Sequence, residues 1–330
     1  MIRYLYAAME ADERSPGGIA CMALVDDGVP APMVLASDVL AGFLATHPRL
    51  SLLYAASNRA DADVRVLRCL PDGTLEAKGV APIGTNGINY LELDADHALI
   101  VMASMRDGCV MTCRVAPNGL LQGPVRRFGQ HAGTRFHQAR FTPDQRHVVA
   151  TDIGRDRVTL FACGADGELV ERGGVDLPGM GPRHVAFGSA GAVFVAGEKN
   201  ATVCRLWLDS AVSCLTSDAA VPSLLHAEIG GECLPSEIIA LSNGNIVVAN
   251  RGPDVVTILD GNGAIPRAIA DVPCGGAWPR HMYLAGDDLY VANRRSDSVS
   301  HLRLSADGHG LEGRAHVSVD NPLCLAMLQV

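Results

Sequence analysis

A chain of 330 residues with 48% hydrophobic and only 19% charged residues has the composition of a folded body, not of a disordered segment. Large all-β folds commonly run to this length as one domain, so residues 1–330 are read as a single domain. A formal net charge of −9 argues against the basic face that nucleic acid needs, and no apolar run is long enough to span a bilayer, so neither nucleic acid nor a membrane is an expected partner.

The chain opens almost at once on a strand pattern, YLYAAME at 4–10: an apolar run, a small-residue step, then a polar turn. The phrase returns as LLYAASNR (52–59), IVMASMR (100–106), VVATDIG (148–154), FVAGEKN (194–200), IVVANRG (246–252) and LYVANRR (289–295). Self-similarity at a period in the forties is the mark of a propeller or a solenoid. Asp-Gly or Asn-Gly pairs at 27–28, 72–73, 118–119, 166–167 and 307–308 keep the same period and supply the positive φ of a tight hairpin. One of the two intervening turns survives as DGNG (260–263), and the other, near 209–213, has lost its glycine.

A short strand, often opened by proline, precedes each small-residue step after the first: GINYLEL (87–93), FHQARF (136–141), PRHVAF (182–187), PSEIIAL (235–241), PRHMYL (279–284) and PLCLAM (322–327), with a degenerate member near 40–46. Each repeat then holds four strands, which predicts an all-β, seven-bladed propeller of four-stranded antiparallel blades with almost no helix. The first strand of the chain lacks its predecessor and the last lacks its followers. The N-terminal strand is therefore expected to complete the C-terminal blade and close the ring. Segment 218–232 lengthens its repeat and reads as a surface loop with room for one short helical turn. The ten cysteines are scattered without a CxxC or zinc spacing and read as reduced core residues. With no export signal at the N-terminus, the expected compartment is the cytoplasm, and the expected state is a monomer or weak homodimer.

Five segments carry a resemblance: FHQARFTPD (136–144), GPRHVAF (181–187), GEKNATV (197–203), ANRGPDV (249–255) and GAWPRH (276–281). In order and spacing the chain resembles the lactonase family of seven-bladed propellers. That family includes propeller-type 6-phosphogluconolactonases, and its relatives include enzymes that cyclise 3-carboxy-cis,cis-muconate. Residues 30–50 and 84–93 depart from the family pattern. The resemblance implies a functional set of one histidine, two arginines and a glutamate at the mouth of the central channel. These fall on His137, Arg183, Glu198 and Arg251, with Arg280 repeating the surroundings of Arg183.

The residues themselves point the same way. His137, Arg183, Glu237 and Arg280 hold nearly equivalent places at the starts of first strands, whereas Glu198, Arg251 and Arg294 follow second strands, with Glu10 at the matching place in the first copy. A propeller brings such places to its axis. Neutral His137 suits a general base, Glu198 suits a group that orients it or serves as acid, and Arg183, Arg251 and Arg280 suit an anion clamp. Glu237 is expected to hold Arg183 or Arg280. His184 and His281 follow the arginines, so strict alternation sends them to the opposite face, as residues of structural packing or inter-blade hydrogen bonding. Arg294 and Arg295 read as rim residues, and Glu198 with Lys199 as a competing turn pair.

No nucleotide motif is present, and the His/Arg/Glu set needs neither cofactor nor metal, so none is expected. The leading expectation is a hydrolase of a small anionic sugar or organic-acid lactone. The rivals are a carboxymuconate-type cycloisomerase acting on a muconate-like substrate, and a non-catalytic binding propeller.

Overall fold

The computed structural model describes all residues except 1, 26–27, 97, 210, 212 and 227–230. Seven antiparallel sheets follow one another round a central axis. The first blade joins Pro322–Gln329 to Arg3–Met9, Gly18–Ala23 and Val34–Ser37; the remaining six take their strands in chain order. Their innermost strands are Phe43–Thr46, Tyr90–Leu93, Phe136–Phe141, Pro182–Phe187, Leu234–Ala240 and Pro279–Ala285. The predicted closure is present: Arg3 pairs with Gln329, Leu5 with Met327 and Ala7 with Leu325. A single 3₁₀ turn, Arg294–Ser296, is the one helical element among the described residues that bears on the site. No helix is long and apolar enough to cross a membrane.

The predicted turn glycines work as their chemistry requires. Gly73, Gly119, Gly167 and Gly308 each have φ between +67° and +84°. Their carbonyls are then gripped by the preceding blade: Tyr6 donates to Gly73 at 2.9 Å, Tyr54 to Gly119 at 2.7 Å, Thr112 to Gly167 at 2.7 Å and Asn245 to Gly308 at 3.0 Å. Tyr290 donates likewise to Gly28 at 2.6 Å, across the ring closure; Asp27 itself lies outside the described residues. Where the glycine was lost, His147 bonds Ser213 at 2.7 Å instead. These contacts stitch neighbouring blades together and satisfy the turn carbonyls.

Apolar side chains fill the gaps between neighbouring sheets. Separate clusters lie between the fourth and fifth blades (Val158, Val193), the fifth and sixth (Phe194, Val248), the sixth and seventh (Ile258, Val291) and the seventh and first (Tyr290, Leu5). All ten cysteines are free, and most are buried. In segment 218–232, Val221–Pro222 adds a short strand to the fifth blade, and Asn250 donates to the Ser223 carbonyl. The expected short helical turn has no counterpart among the described residues, and 227–230 lie outside them.

Candidate active site at the channel mouth

The site grows from an irregularity shared by five blades. Against its neighbour, the innermost strand skips a residue at His137, Arg183, Arg280 and Leu323, and skips Ser236 and Glu237 together. Such bulges leave a residue outside the ladder and re-aim its side chain. In four of the five a proline stands immediately before the skipped residue (Pro182, Pro235, Pro279, Pro322), where the missing N–H cannot hold the ladder. The innermost strands of the second and third blades pair without a shift. Neighbouring blades lock the bulges: Thr151 donates to the Arg183 carbonyl at 2.7 Å, and Ser236 to the Pro279 carbonyl at 2.6 Å.

The bulged Arg183 meets residues that follow second strands. Arg251 contacts one oxygen of Glu198 at 2.9 Å, and Arg183 approaches the other at 3.5 Å. Both guanidiniums are buried, while the Glu198 side chain keeps 24% of its exposure. Arg251 also donates to the carbonyls of Leu234 and Pro235, and Arg183 to that of Ser236, so their planes are fixed. Arg280 is half-buried beside Arg251, Arg294, Glu10 and Glu198, and its guanidinium has no ion pair or hydrogen bond among the described residues. Glu10 pairs with Arg294, completing the mouth.

The charges do not balance. Burial pushes the Arg183 guanidinium down, and Arg251 and Arg280 add to this against the pull of Glu198, to about 9. Arg280 is pushed down to about 10 by burial and by Arg251 and Arg294. Burial alone would raise the Glu198 carboxyl, but Arg183 and Arg251 outweigh it and hold it below the usual range. Positive charge exceeds what Glu198 and Glu10 neutralise.

His137 stands at this cluster. Burial, then Arg183 and His184, drive its pKa well below the ordinary histidine value, so its ring is neutral at pH 7. Its Nδ1 is buried without a hydrogen-bond partner.

Below the mouth lies a waist. Glu237 accepts from His184 Nδ1 at 2.8 Å and contacts His281 Nε2 at 3.3 Å. The backbone N–H of Leu325 donates to His281 Nδ1 at 3.2 Å, so His281 carries its proton on Nε2. His184 packs against His137, ring centroids 5.0 Å apart. Beyond the waist the channel widens into a cavity of about 620 Å³ lined by Phe43, Tyr90, Phe187 and Tyr283. Its Arg140 is already committed, to Glu92 at 3.2 Å and to the Val185 carbonyl at 3.1 Å.

The structure thus brings His137, Arg183, Glu198, Arg251 and Arg280 together, and it changes three assignments. Glu198 neither orients His137 nor stays protonated; it is an ionised brace between two arginines. Glu237 pairs with two histidines, not with Arg183 or Arg280, and sits under the mouth. His184 and His281 make the inter-blade hydrogen bonds expected of them, through Glu237 and Leu325, but they do so at the axis, because the bulges at Arg183 and Arg280 break the alternation that sent them to the opposite face. The repeated PRH at 182–184 and 279–281 was the signal for this bridge. Lys199 pairs with Asp156, not with Glu198. Among the described residues no group of three or more His, Cys, Asp or Glu side chains is arranged to hold a metal ion.

Comparison with known proteins gives a consistent family picture. The family model "Lactonase, 7-bladed beta-propeller" matches residues 30–327. A 6-phosphogluconolactonase of Bacillus subtilis is 26% identical over 258 residues, 72% of each chain. The match to a Yersinia pestis 6-phosphogluconolactonase, 27% identical, spans 44% of this chain and 43% of that protein. Among solved structures, a periplasmic gluconolactonase of Pseudomonas aeruginosa superposes over the whole of both chains with a TM-score of 0.89 at 19% identity. A Lactobacillus plantarum protein does so with the same TM-score at 20% identity.

Proposed function

The chain belongs to the seven-bladed β-propeller lactonase family, and on that premise we propose that it hydrolyses a small anionic lactone at the channel mouth, with 6-phosphogluconolactone as the leading substrate. The observation that carries the reading is the Arg183–Glu198–Arg251 brace beside a neutral, buried His137. Names of relatives support the substrate class.

In this reading the lactone carbonyl lies against the guanidiniums, whose fixed planes meet the oxyanion as it forms. His137 takes a proton from the attacking water. When the tetrahedral intermediate collapses, the ring oxygen leaves and recovers that proton from the imidazolium. The product is an open-chain hydroxy acid, its carboxylate held where the oxyanion stood. Glu198 fixes the two arginines, which would otherwise repel each other. No step calls on a metal ion.

The test is acid release from 6-phosphogluconolactone and from gluconolactone, followed at constant pH against the uncatalysed rate, with product mass. A catalysed product heavier by one water supports the proposal. An isomer formed from a carboxymuconate would make the chain a cycloisomerase. Binding without turnover of any lactone would make it a binding propeller.

A further inference from the structure

From the geometry of the opposite side of the mouth we infer a second anion subsite, formed by Arg59 and Arg106, that takes a phosphate monoester remote from the lactone carbonyl. The inference rests on the lactonase reading and assigns roles to the two blades that depart most from the family pattern.

Arg59 and Arg106 stand in the turns that follow the second strands of the second and third blades, Leu52–Ala56 and Leu99–Ser104. With Glu10 and Asn58 they line a pocket of about 180 Å³ that reaches the axis at Leu323. Glu10 is shared: its carboxylate is taken by Arg294, next to Arg280, so this pocket and the Arg183–Glu198–Arg251 cluster belong to one mouth. Both Arg59 and Arg106 are exposed, and neither guanidinium has an ion pair or hydrogen bond among the described residues. The surroundings are built to hold the turn there. A Cβ at Gly42 would stand 2.6 Å from Asn58 Cβ, and one at Gly87 2.6 Å from Asn58 Oδ1, so both glycines make room for the Asn58 turn between the two blades. Gly87 also has φ +96°, which a side chain resists.

The charge pattern selects the ligand. Buried, braced arginines suit a carbonyl on its way to an oxyanion. Two free, hydrated arginines suit a group that keeps much of its water. A phosphate monoester carries close to two negative charges at neutral pH, which two unpartnered guanidiniums match with planar, paired donors. A substrate with lactone at one end and phosphate at the other spans the mouth between the two clusters.

The experiment compares kcat/KM for 6-phosphogluconolactone and for unphosphorylated gluconolactone in the wild type, Arg59→Ala and Arg106→Ala. Both side chains are exposed, so folding is not at stake, and circular dichroism checks it. The ratio of the two kcat/KM values is expected to fall about 10-fold or more in each variant, through KM. An unchanged ratio, with both substrates equally affected or unaffected, would overturn the subsite and leave the lactonase reading standing. If the wild type hydrolyses neither lactone, the lactonase reading fails instead. Calorimetric titration with inorganic phosphate then decides the subsite by itself: weaker binding in the variants supports it, and identical binding overturns it.

Discussion

The two ends of the axial channel use the same residue type to opposite purposes. At the wide end Arg140 is half-buried, yet every charge is answered: Glu92 pairs with it, and the Val185 carbonyl takes another of its donors. At the mouth Arg280 has no partner among the described residues, and Arg183 shares the single carboxylate of Glu198 with Arg251. The roomy end, at about 620 Å³, has its charges matched, while the excess of positive charge lies at the mouth, where the proposed chemistry is placed. Unmatched charge, not cavity size, marks where a ligand belongs. A buried guanidinium that lacks its counter-ion is costly, and a fold retains it where a transient anion supplies the missing charge.

The comparison breaks most visibly at His137. His137→Ala is expected to lower kcat roughly 100- to 10,000-fold, the range of a lost general base, while the melting temperature stays close to wild type; a variant with near-normal turnover would remove the mouth from the chemistry. Glu198→Gln should follow, with kcat/KM down about 10- to 100-fold, because the charged brace between Arg183 and Arg251 is weakened. Steady-state kinetics checks both.

The wide end sharpens the contrast. Arg140→Met should destabilise the fold by about 1–3 kcal/mol in denaturant melts, since Glu92 loses its partner, and leave turnover of the folded protein unaltered. Loss of activity without loss of stability would reverse the roles of the two ends.

The smallest effect is on pH. His137 and His184 are held below the ordinary histidine value of 6.5, chiefly by burial. Above that value both are neutral in folded and unfolded chains alike. As pH falls below it, the unfolded chain binds protons that the folded one excludes, so stability declines. Melting temperature should be level near neutrality and fall as pH drops below about 6.5. The acid limb of kcat/KM should likewise lie below the ordinary histidine range.

Much of this was legible in the chain. The small-residue step, a local requirement repeated seven times, set the blade number, and the unmatched first and last strands gave the closure. The charged set at the axis followed from equivalent places in the repeat. What alternation could not give was the register of the innermost strands. Bulges at Arg183 and Arg280 depend on pairing with a neighbour, so His184 and His281 were sent to the wrong face. The partner of Glu237 was missed for the same reason. Glu198 was legible as a charged residue at the channel mouth but not as a brace, since that arrangement depends on which arginine arrives from the next blade. Arg59 lies in a repeat copy whose surroundings match the family poorly, and the packing of Gly42 and Gly87 about the neighbouring Asn58 is not visible in the repeat pattern.

The most direct test is a crystal structure with the hydroxy-acid product bound. The account predicts its carboxylate against Arg183, Arg251 and Arg280 within reach of His137. A product seated instead among Phe43, Tyr90 and Tyr283 at the wide end would contradict it.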